Sequence, residues 1–445
     1  MNRILLLFVL AAAPASSAWK AGVAAENITP NEPIWLAGYA SRDRPASEVR
    51  QEIFAKALAL EDETGAVSVI VTLDLVGIRR DLAEEIASHA ATAHGIPRER
   101  ILFNASHTHS APLVGSNSSY EHRMGSYLEK QKGAVARYTD SLRDKISGVV
   151  GRAVGSRETV TLGFEQGYAG FAVNRRRVGH REYPGPVDHD VPVLALKSPD
   201  GRLKAILFGY ACHNTILADY TIHGDYAGYA QQFLEERHPG AVALFVQGAG
   251  ADSNPLPRRK PEHLQRYGAT LADGVDEVLA KNMKPVTGPL RAAIEFAEVR
   301  FAPHTREEFE QRAKSGNETE RRHAAKQLEQ YANNGKFIET HPYPVQAWRF
   351  GQAFTMMALA GELVVDYALR IKGKYGWDNT WVAGYSNDVF GYIPSLRVLK
   401  EGGYEGGDAY YFGSFPGHLA PDIEDRIWAA VERVAAQVGS QGAAR

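Results

Sequence analysis

The chain of 445 residues contains one cysteine, Cys212, so no internal disulfide can staple it. Beyond the N-terminus it has no apolar run long enough to cross a bilayer, which excludes a transmembrane anchor in the mature chain. It lacks a strong charge of either sign. The formal net charge is −2 and Lys and Arg do not gather on one element, so a nucleic-acid partner is not expected. Internal repeats and long linkers are absent too. That leaves one large domain over residues 19–445 as the simplest organisation.

The N-terminus has a different character. Arg3 is followed by an apolar stretch from Ile4 to Ala13 and by small residues at Ser16-Ser17-Ala18. A charged start, a short apolar run and a small-residue cleavage site make a secretory signal peptide over residues 1–18. No cysteine stands at the cleavage point, so a lipoprotein is excluded. The mature protein is expected in a periplasm or outside the cell.

Val67 to Leu75 is β-branched and apolar, as a central strand is. Arg80 to His94 has helical apolar spacing, and Gly95-Ile-Pro97 breaks it before a further strand. This is a βαβ unit with a parallel strand pair. Val191–Leu196 and Leu203–Ala211 flank Pro199-Asp-Gly201 and read as a hairpin. Tyr226–His238 reads as a helix, Ala241–Val246 as a buried strand, Ala347–Leu359 and Trp381–Ala383 as strands, and Asp422–Val438 as a closing amphipathic helix. Residues 303–337 are rich in Arg, Glu, Gln and Lys and read as an exposed helical excursion broken at Ser315-Gly-Asn317. The fold class is α/β: a mixed, largely parallel central sheet flanked by helices, with a metal site at strand ends.

The chemistry concentrates at a few places. Ile101-Leu-Phe-Asn-Ala-Ser-His107-Thr-His109 is an apolar strand ending in two histidines two residues apart. On a strand such residues share a face, and strand ends are where α/β sheets hold ligands. One or both imidazoles could bind zinc and the other move protons; two structural histidines are the bland alternative. Tyr210-Ala-Cys212-His213-Asn-Thr215 repeats the theme. Cys212 is read there as a small buried hydrophobe, with a catalytic thiol as the alternative. Asp225 in His223-Gly-Asp225 is read as a helix N-cap. Phe245 to Pro255 carries a strand into small residues, including Gly248 and Gly250, that would let backbone N–H groups approach a substrate. It has no phosphate-loop lysine. Glu362 sits inside an apolar run from Met356 to Val365, an expensive place for a carboxylate unless it is paired or metal-bound. Trp381 to Tyr404 is a Gly-rich, aromatic loop region of the kind that carries function.

These pieces, in order, resemble the neutral/alkaline ceramidases, zinc-dependent amide hydrolases that cleave the N-acyl bond of ceramide. The resemblance lies in Gly22-Val-Ala-Ala-Glu-Asn-Ile-Thr-Pro30, Leu36-Ala-Gly-Tyr39, Ser106-His-Thr-His-Ser110, Val173-Asn-Arg175, Val187-Asp to Leu194, Cys212-His-Asn-Thr215, Gly361-Glu362 and Ala383-Gly-Tyr-Ser-Asn387. It implies zinc held by His107, His213, Glu362 and Tyr392, with His109, Arg175 and Tyr404 as catalytic and substrate-polarising residues. It implies a lipid or other small-molecule substrate, with peripheral contact to membrane lipid. Two departures stand out. Where the family has a serine before a proline, this chain has Asn254 before Pro255, with Ser253 one place earlier. After the tyrosine-rich loop there is room for one more helix, so the family's appended immunoglobulin-like domain is not expected. A zinc hydrolase of another amide or ester therefore stands beside the ceramidase reading. A catalytically silent binding protein of the same fold is a third reading.

Overall fold

The computed structural model describes residues 19–442, apart from residue 47 and residues 116–120, 122–123 and 179–183. The expected signal peptide over residues 1–18 lies outside the described residues.

Short apolar runs build two sheets. The larger contains β1 (Trp19–Asn27), β2 (Phe54–Glu61), β3 (Val67–Leu73), β4 (Ile101–Ala105), β5 (Glu158–Tyr168), β6 (Asp190–Lys197), β7 (Leu203–Tyr210) and β8 (Val242–Gln247). Their spatial order is β8-β7-β6-β5-β1-β2-β3-β4, and the short strand Lys284–Pro285 adds to β5. The sheet is mixed, as expected, but it is not largely parallel. Only β3–β4 and β7–β8 run parallel; every other pair in it is antiparallel. The reason is connection length. A tight turn, such as Asp62 to Ala66 or Ser198 to Arg202, can only return the chain antiparallel, whereas a parallel neighbour needs a crossover. Helix α1 (Arg80–His94) supplies one crossover, and a helix over Asp225–Arg237 the other. Helix α1 has the expected bounds and ends at Gly95, whose φ of 68° is left-handed and suits glycine. The long helix α2 (Leu128–Gly155) packs beside α1 on the same face. The Asp225–Arg237 helix, α3, and α4 (Glu262–Leu279) cover the region of β6 to β8.

The second sheet has the order β9 (Leu290–Arg300), β10 (Thr340–Phe350), β11 (Phe354–Leu359) and β12 (Thr380–Ala383). It stacks on the first through an apolar seam. Leu58, Ile70, Leu102, Leu244 and Val246 meet Trp348, Phe350, Phe354, Met356 and Trp381 there, all nearly inaccessible to solvent. Phe164 of β5 stacks on Phe354 of β11 with ring centroids 3.9 Å apart. Helices α6 (Val365–Tyr375) and α7 (Ile423–Gln437) pack within the core cluster on the second sheet's other side. The layers are thus helix, sheet, sheet, helix.

The charged excursion forms a short helix, Arg306–Arg312, and α5 (Glu318–Asn334). The break is where the sequence places it: Asn317 caps α5 by accepting from the amides of Thr319 and Glu320. Its exposure is one-sided. His323, Ala324 and Gln327 of α5 are buried against the chain at Ser414–Phe415.

The ends of the large sheet come together. The Asn104 amide donates to the Gln247 carbonyl at 3.3 Å and accepts from its N–H at 2.8 Å. It also donates to the Gly384 carbonyl at 2.8 Å. The carboxyl ends of β4 and β8 are therefore neighbours, and the chain following β12 meets them.

Candidate metal and substrate site

The two-residue periodicity of a strand does not aim His107 and His109. Strand β4 ends at Ala105, and His107 has a left-handed φ of 63°. Such a backbone is unfavourable for a residue with a Cβ. It is held by the His107 N–H donating to the Leu75 carbonyl at 2.9 Å and by the ring Nδ1, 2.5 Å from the Val76 carbonyl. The imidazoles still converge, with Nε2 of His109 3.0 Å from Nε2 of His107.

His213 lies three residues past β7. Its N–H donates to the Ser253 carbonyl at 3.0 Å and its Nδ1 lies 2.8 Å from the Gly250 carbonyl. The glycines after β8 serve this packing and do not open a path for substrate. A Cβ on Gly250 would fall 2.6 Å from the Cys212 nitrogen, and one on Gly248 3.0 Å from the Ala211 Cβ. Cys212 is fully buried, and burial pushes its thiol well above the ordinary range. It is a packing residue.

Glu362 and Tyr392 face each other in a two-residue parallel ladder, Glu362–Leu363 with Tyr392–Ile393. Glu362 Oε2 lies 3.2 Å from His107 Nε2 and 3.3 Å from His213 Nε2. The Tyr392 hydroxyl is 3.3 Å from His213 Nε2. Among the described residues, the one group of three or more ligating side chains with atoms within 4.8 Å of one another is His107, His109 and His213.

The protons in this cluster can be placed. Nδ1 of His107 and of His213 faces a carbonyl, so each carries its proton there and presents an Nε2 lone pair inward. Those lone pairs point at a carboxylate oxygen that accepts no hydrogen bond. Burial would raise the Glu362 pKa; positive charge at the His107 and His213 positions beside it holds it well below the usual range, and a cation bound between them would act in the same direction. Burial, and then Arg175, bring His213 down to about 4. Burial, and then His107 and His213, take His109 well below its ordinary value. The centre gathers one carboxylate oxygen, two imidazole Nε2 atoms and the Tyr392 hydroxyl within 3.3 Å contacts. That donor set fits a divalent cation of the zinc type.

Arg175 follows the short strand Ala172–Asn174, which pairs with Ser253–Pro255. Its Nη2 donates to the Tyr392 hydroxyl at 2.9 Å and its Nε to Glu405 at 2.5 Å. It does not line the cavity; it faces the back of Tyr392. Tyr404 does line it, with its ring centroid 5.2 Å from that of Tyr392. Ser253 and Asn254 are buried and stand outside the cavity lining. Ser253 contributes its backbone carbonyl to His213, and Asn254 accepts from Thr215. Asp225 is not the N-cap of α3. Gly224 occupies that position, and the Asp225 carboxylate accepts from the amides of Ile216 and Tyr226. Burial pushes its pKa up to about 7.

The cavity holds about 370 Å³. His107, His109, Glu362, Tyr392 and Tyr404 share it with an apolar wall that includes Leu113, Val389, Phe390, Phe412 and Phe415. Three contributors escape a reading of the sequence for chemistry. Glu405 braces both Arg175 and Arg176. The Tyr385 ring lies 4.5 Å from that of His107. Gly38, at φ 93°, gives room to His109, because a Cβ there would fall 2.4 Å from the His109 Cγ. The available signals were the tyrosine adjoining Glu405 and the small residues of Leu36-Ala-Gly-Tyr39.

The sequence and the fold are both similar to those of known proteins. The family model described as "Neutral/alkaline non-lysosomal ceramidase, N-terminal" matches residues 19–255. The crystal structure of neutral ceramidase from Pseudomonas aeruginosa is similar, with a TM-score of 0.73 at 20% identity, over 94% of this chain and 74% of that one. A structure titled "Ceramidase complexed with C2" has a TM-score of 0.73 at 18% identity, over 96% and 77% of the two chains. No curated protein sequence matches the chain.

Proposed function

Because this chain belongs to the neutral/alkaline non-lysosomal ceramidase family, we propose that it is an exported, zinc-dependent amide hydrolase acting on the N-acyl bond of ceramide or a related N-acyl lipid. The observation that carries this reading is the convergence of Glu362 Oε2 with the Nε2 atoms of His107 and His213. With Tyr392 these residues would hold the metal. Zinc, when bound, supplies carbonyl polarisation and a water that is nucleophilic near neutral pH.

The chain's own groups do the rest. His109 is buried enough to be neutral and stands beside the ligand cluster. It accepts a proton and returns it to the leaving amine nitrogen. Tyr404, partly exposed in the cavity, donates its hydroxyl hydrogen to the carbonyl oxygen as charge develops there. Arg175 is a positioning residue: burial pushes the Tyr392 hydroxyl well above its ordinary range, the Arg175 charge opposes that rise, and Glu405 fixes the guanidinium. The apolar wall takes the acyl chain. No helix among the described residues is long and apolar enough to cross a membrane. A lipid substrate is therefore met through peripheral contact at the mouth, where Phe412 and Tyr404 are both exposed.

The second reading, another amide or ester, is favoured by Asn254 in the family's serine position and by the burial of Ser253. Metal analysis of the purified protein, with a hydrolysis screen over ceramides, other N-acyl amides and simple esters, separates the two. Stoichiometric zinc and fatty-acid release from ceramide support the first reading. Zinc with turnover of other amides or esters alone supports the second. A metal-free, inert protein contradicts both.

A further inference from the structure

The arginines around the site are treated unequally. Arg175, Arg176 and Arg177 each have a carboxylate, from Glu405 or Glu401. Arg258 and Arg259, which stand behind Tyr39 and Thr215 and outside the cavity lining, have none. Arg258 is half-buried, and its Nη1 donates only to the Thr215 hydroxyl, at 3.3 Å. Arg259 is exposed at a left-handed φ of 78°. Its Nη1 donates to the Tyr39 hydroxyl at 2.9 Å and to the Thr215 carbonyl at 3.5 Å. Among the described residues no carboxylate stands within 4.0 Å of either guanidinium. The acid that acts on Arg259 from nearby is Asp225, which is buried and already spent on two backbone amides. Two adjacent cations, one of them half-buried, repel each other, and the hydroxyl, carbonyl and Tyr39 ring they meet carry no opposing formal charge. A ligand carboxylate would supply the missing charge.

Their place says which ligand. Thr215 is two residues past His213. The Tyr39 ring stands edge-on to His109 with centroids 4.7 Å apart, and Tyr39 lines the cavity. One tyrosine ring thus separates the Arg259 guanidinium from the proposed proton carrier. Apart from Glu362, the one fixed charge in the cavity lining is also cationic, Arg79. We propose that Arg258 and Arg259, with Tyr39, form a carboxylate-recognition site on the flank of the cavity, and that the preferred substrate carries a carboxylate beside its scissile amide, as N-acyl amino acids do. The planar guanidinium fork suits a carboxylate. This inference rests on the amide-hydrolase reading above and narrows its substrate.

The test uses the purified zinc-loaded protein and a matched pair, N-dodecanoylglycine and its neutral isostere N-dodecanoylglycinamide, with dodecanoate release as the readout. Wild type is expected to favour the carboxylate in kcat/KM. R258Q/R259Q is expected to reduce that preference about 10- to 100-fold, through KM, whereas R79Q keeps it. Added salt should raise the wild-type KM of the carboxylate more than that of the amide, a check that needs no variant. Equal wild-type use of both compounds, a preference untouched in R258Q/R259Q, or a preference lost only in R79Q overturns the assignment and leaves the hydrolase reading standing. If wild type cleaves neither compound, calorimetric binding of N-dodecanoylglycine decides the site by itself. At least tenfold weaker binding by R258Q/R259Q sustains the site, with the hydrolase reading judged separately by the ceramide and ester screen, and equal binding overturns it.

Discussion

A backbone carbonyl decides what each imidazole of this centre can do. Val76 and Gly250 each take the Nδ1 proton of a histidine and so leave its other nitrogen able to bind a metal. His109 has no such partner, and its Nδ1 makes no hydrogen bond. This difference divides the roles. His107→Ala and His213→Ala should each lose most of the zinc, because a site reduced by one ligand binds far less tightly; elemental analysis of the purified variants checks it. His109→Ala and Tyr404→Phe should keep zinc and lose about 10²–10³-fold in kcat. Ser253→Ala should keep substantial activity, since its hydroxyl is sealed away and its carbonyl, which holds His213, survives the change. An acyl group trapped on Ser253, seen by mass spectrometry of the intact protein, would contradict this. Gly38→Ala should retain zinc and lose turnover, because the new Cβ collides with the His109 ring. The residues with unusual settings, histidines at strand ends and a carboxylate in an apolar run, were legible in the sequence. Glu405 was not: a glutamate in a glycine-rich loop looks solvated, and the arginine that buries it is 230 residues away.

Helix α5 shows what an element of ordinary composition can hold in place. Its His323 Nε2 and Gln327 amide bind the carbonyls of Ser414 and Phe415, and its Lys326 binds the Ser414 hydroxyl. Ser414 and Phe415 belong to the cavity wall, so the charged excursion is a brace for the pocket. Burial brings His323 down to about 4 in the folded protein, against about 6.5 unfolded. Between those values the unfolded chain binds the extra proton, so this contribution to stability is full at pH 7 and is lost as pH falls toward 4. His323→Gln should cut the acid-side fall in unfolding free energy by about 2 kcal/mol at pH 4.5, as measured by denaturant titration at both pH values. Only the buried face of this helix contradicts its reading from sequence, because charge density reports the solvent side alone. Elements with clear punctuation, such as α1 with Gly95 and the β6–β7 hairpin with its Pro-Asp-Gly turn, were legible. Helix α2 was not, since Gly133, Gly148 and Gly151 interrupt its helical pattern. Strand direction is hidden in the sequence, because the one clear crossover at α1 says nothing of the strands that tight turns connect antiparallel.

At the scale of the whole molecule, the second sheet is what the sequence concealed most. Strand β9 alternates small, charged and apolar residues and declares no buried face by itself; its burial comes from partners far along the chain. Asn104 is the tie where the layers meet, joining β4, β8 and the segment after β12. Asn104→Ala would orphan the buried Gln247 N–H, at about 1–3 kcal/mol, and should lower the melting temperature measurably. The four proposed zinc ligands come from separate stretches: His107 and His213 follow strands of the first sheet, while Glu362 and Tyr392 flank strands of the second. No single stretch of the chain contains the set. If these four residues hold the proposed metal, its capture is a test of assembly, passed only when both sheets have docked. Cobalt offered to refolding protein in place of zinc should then develop its visible absorption only after the bulk of the secondary structure has returned, and a chain whose two sheets cannot dock should stay colourless, so that the centre would be inert until the molecule is whole.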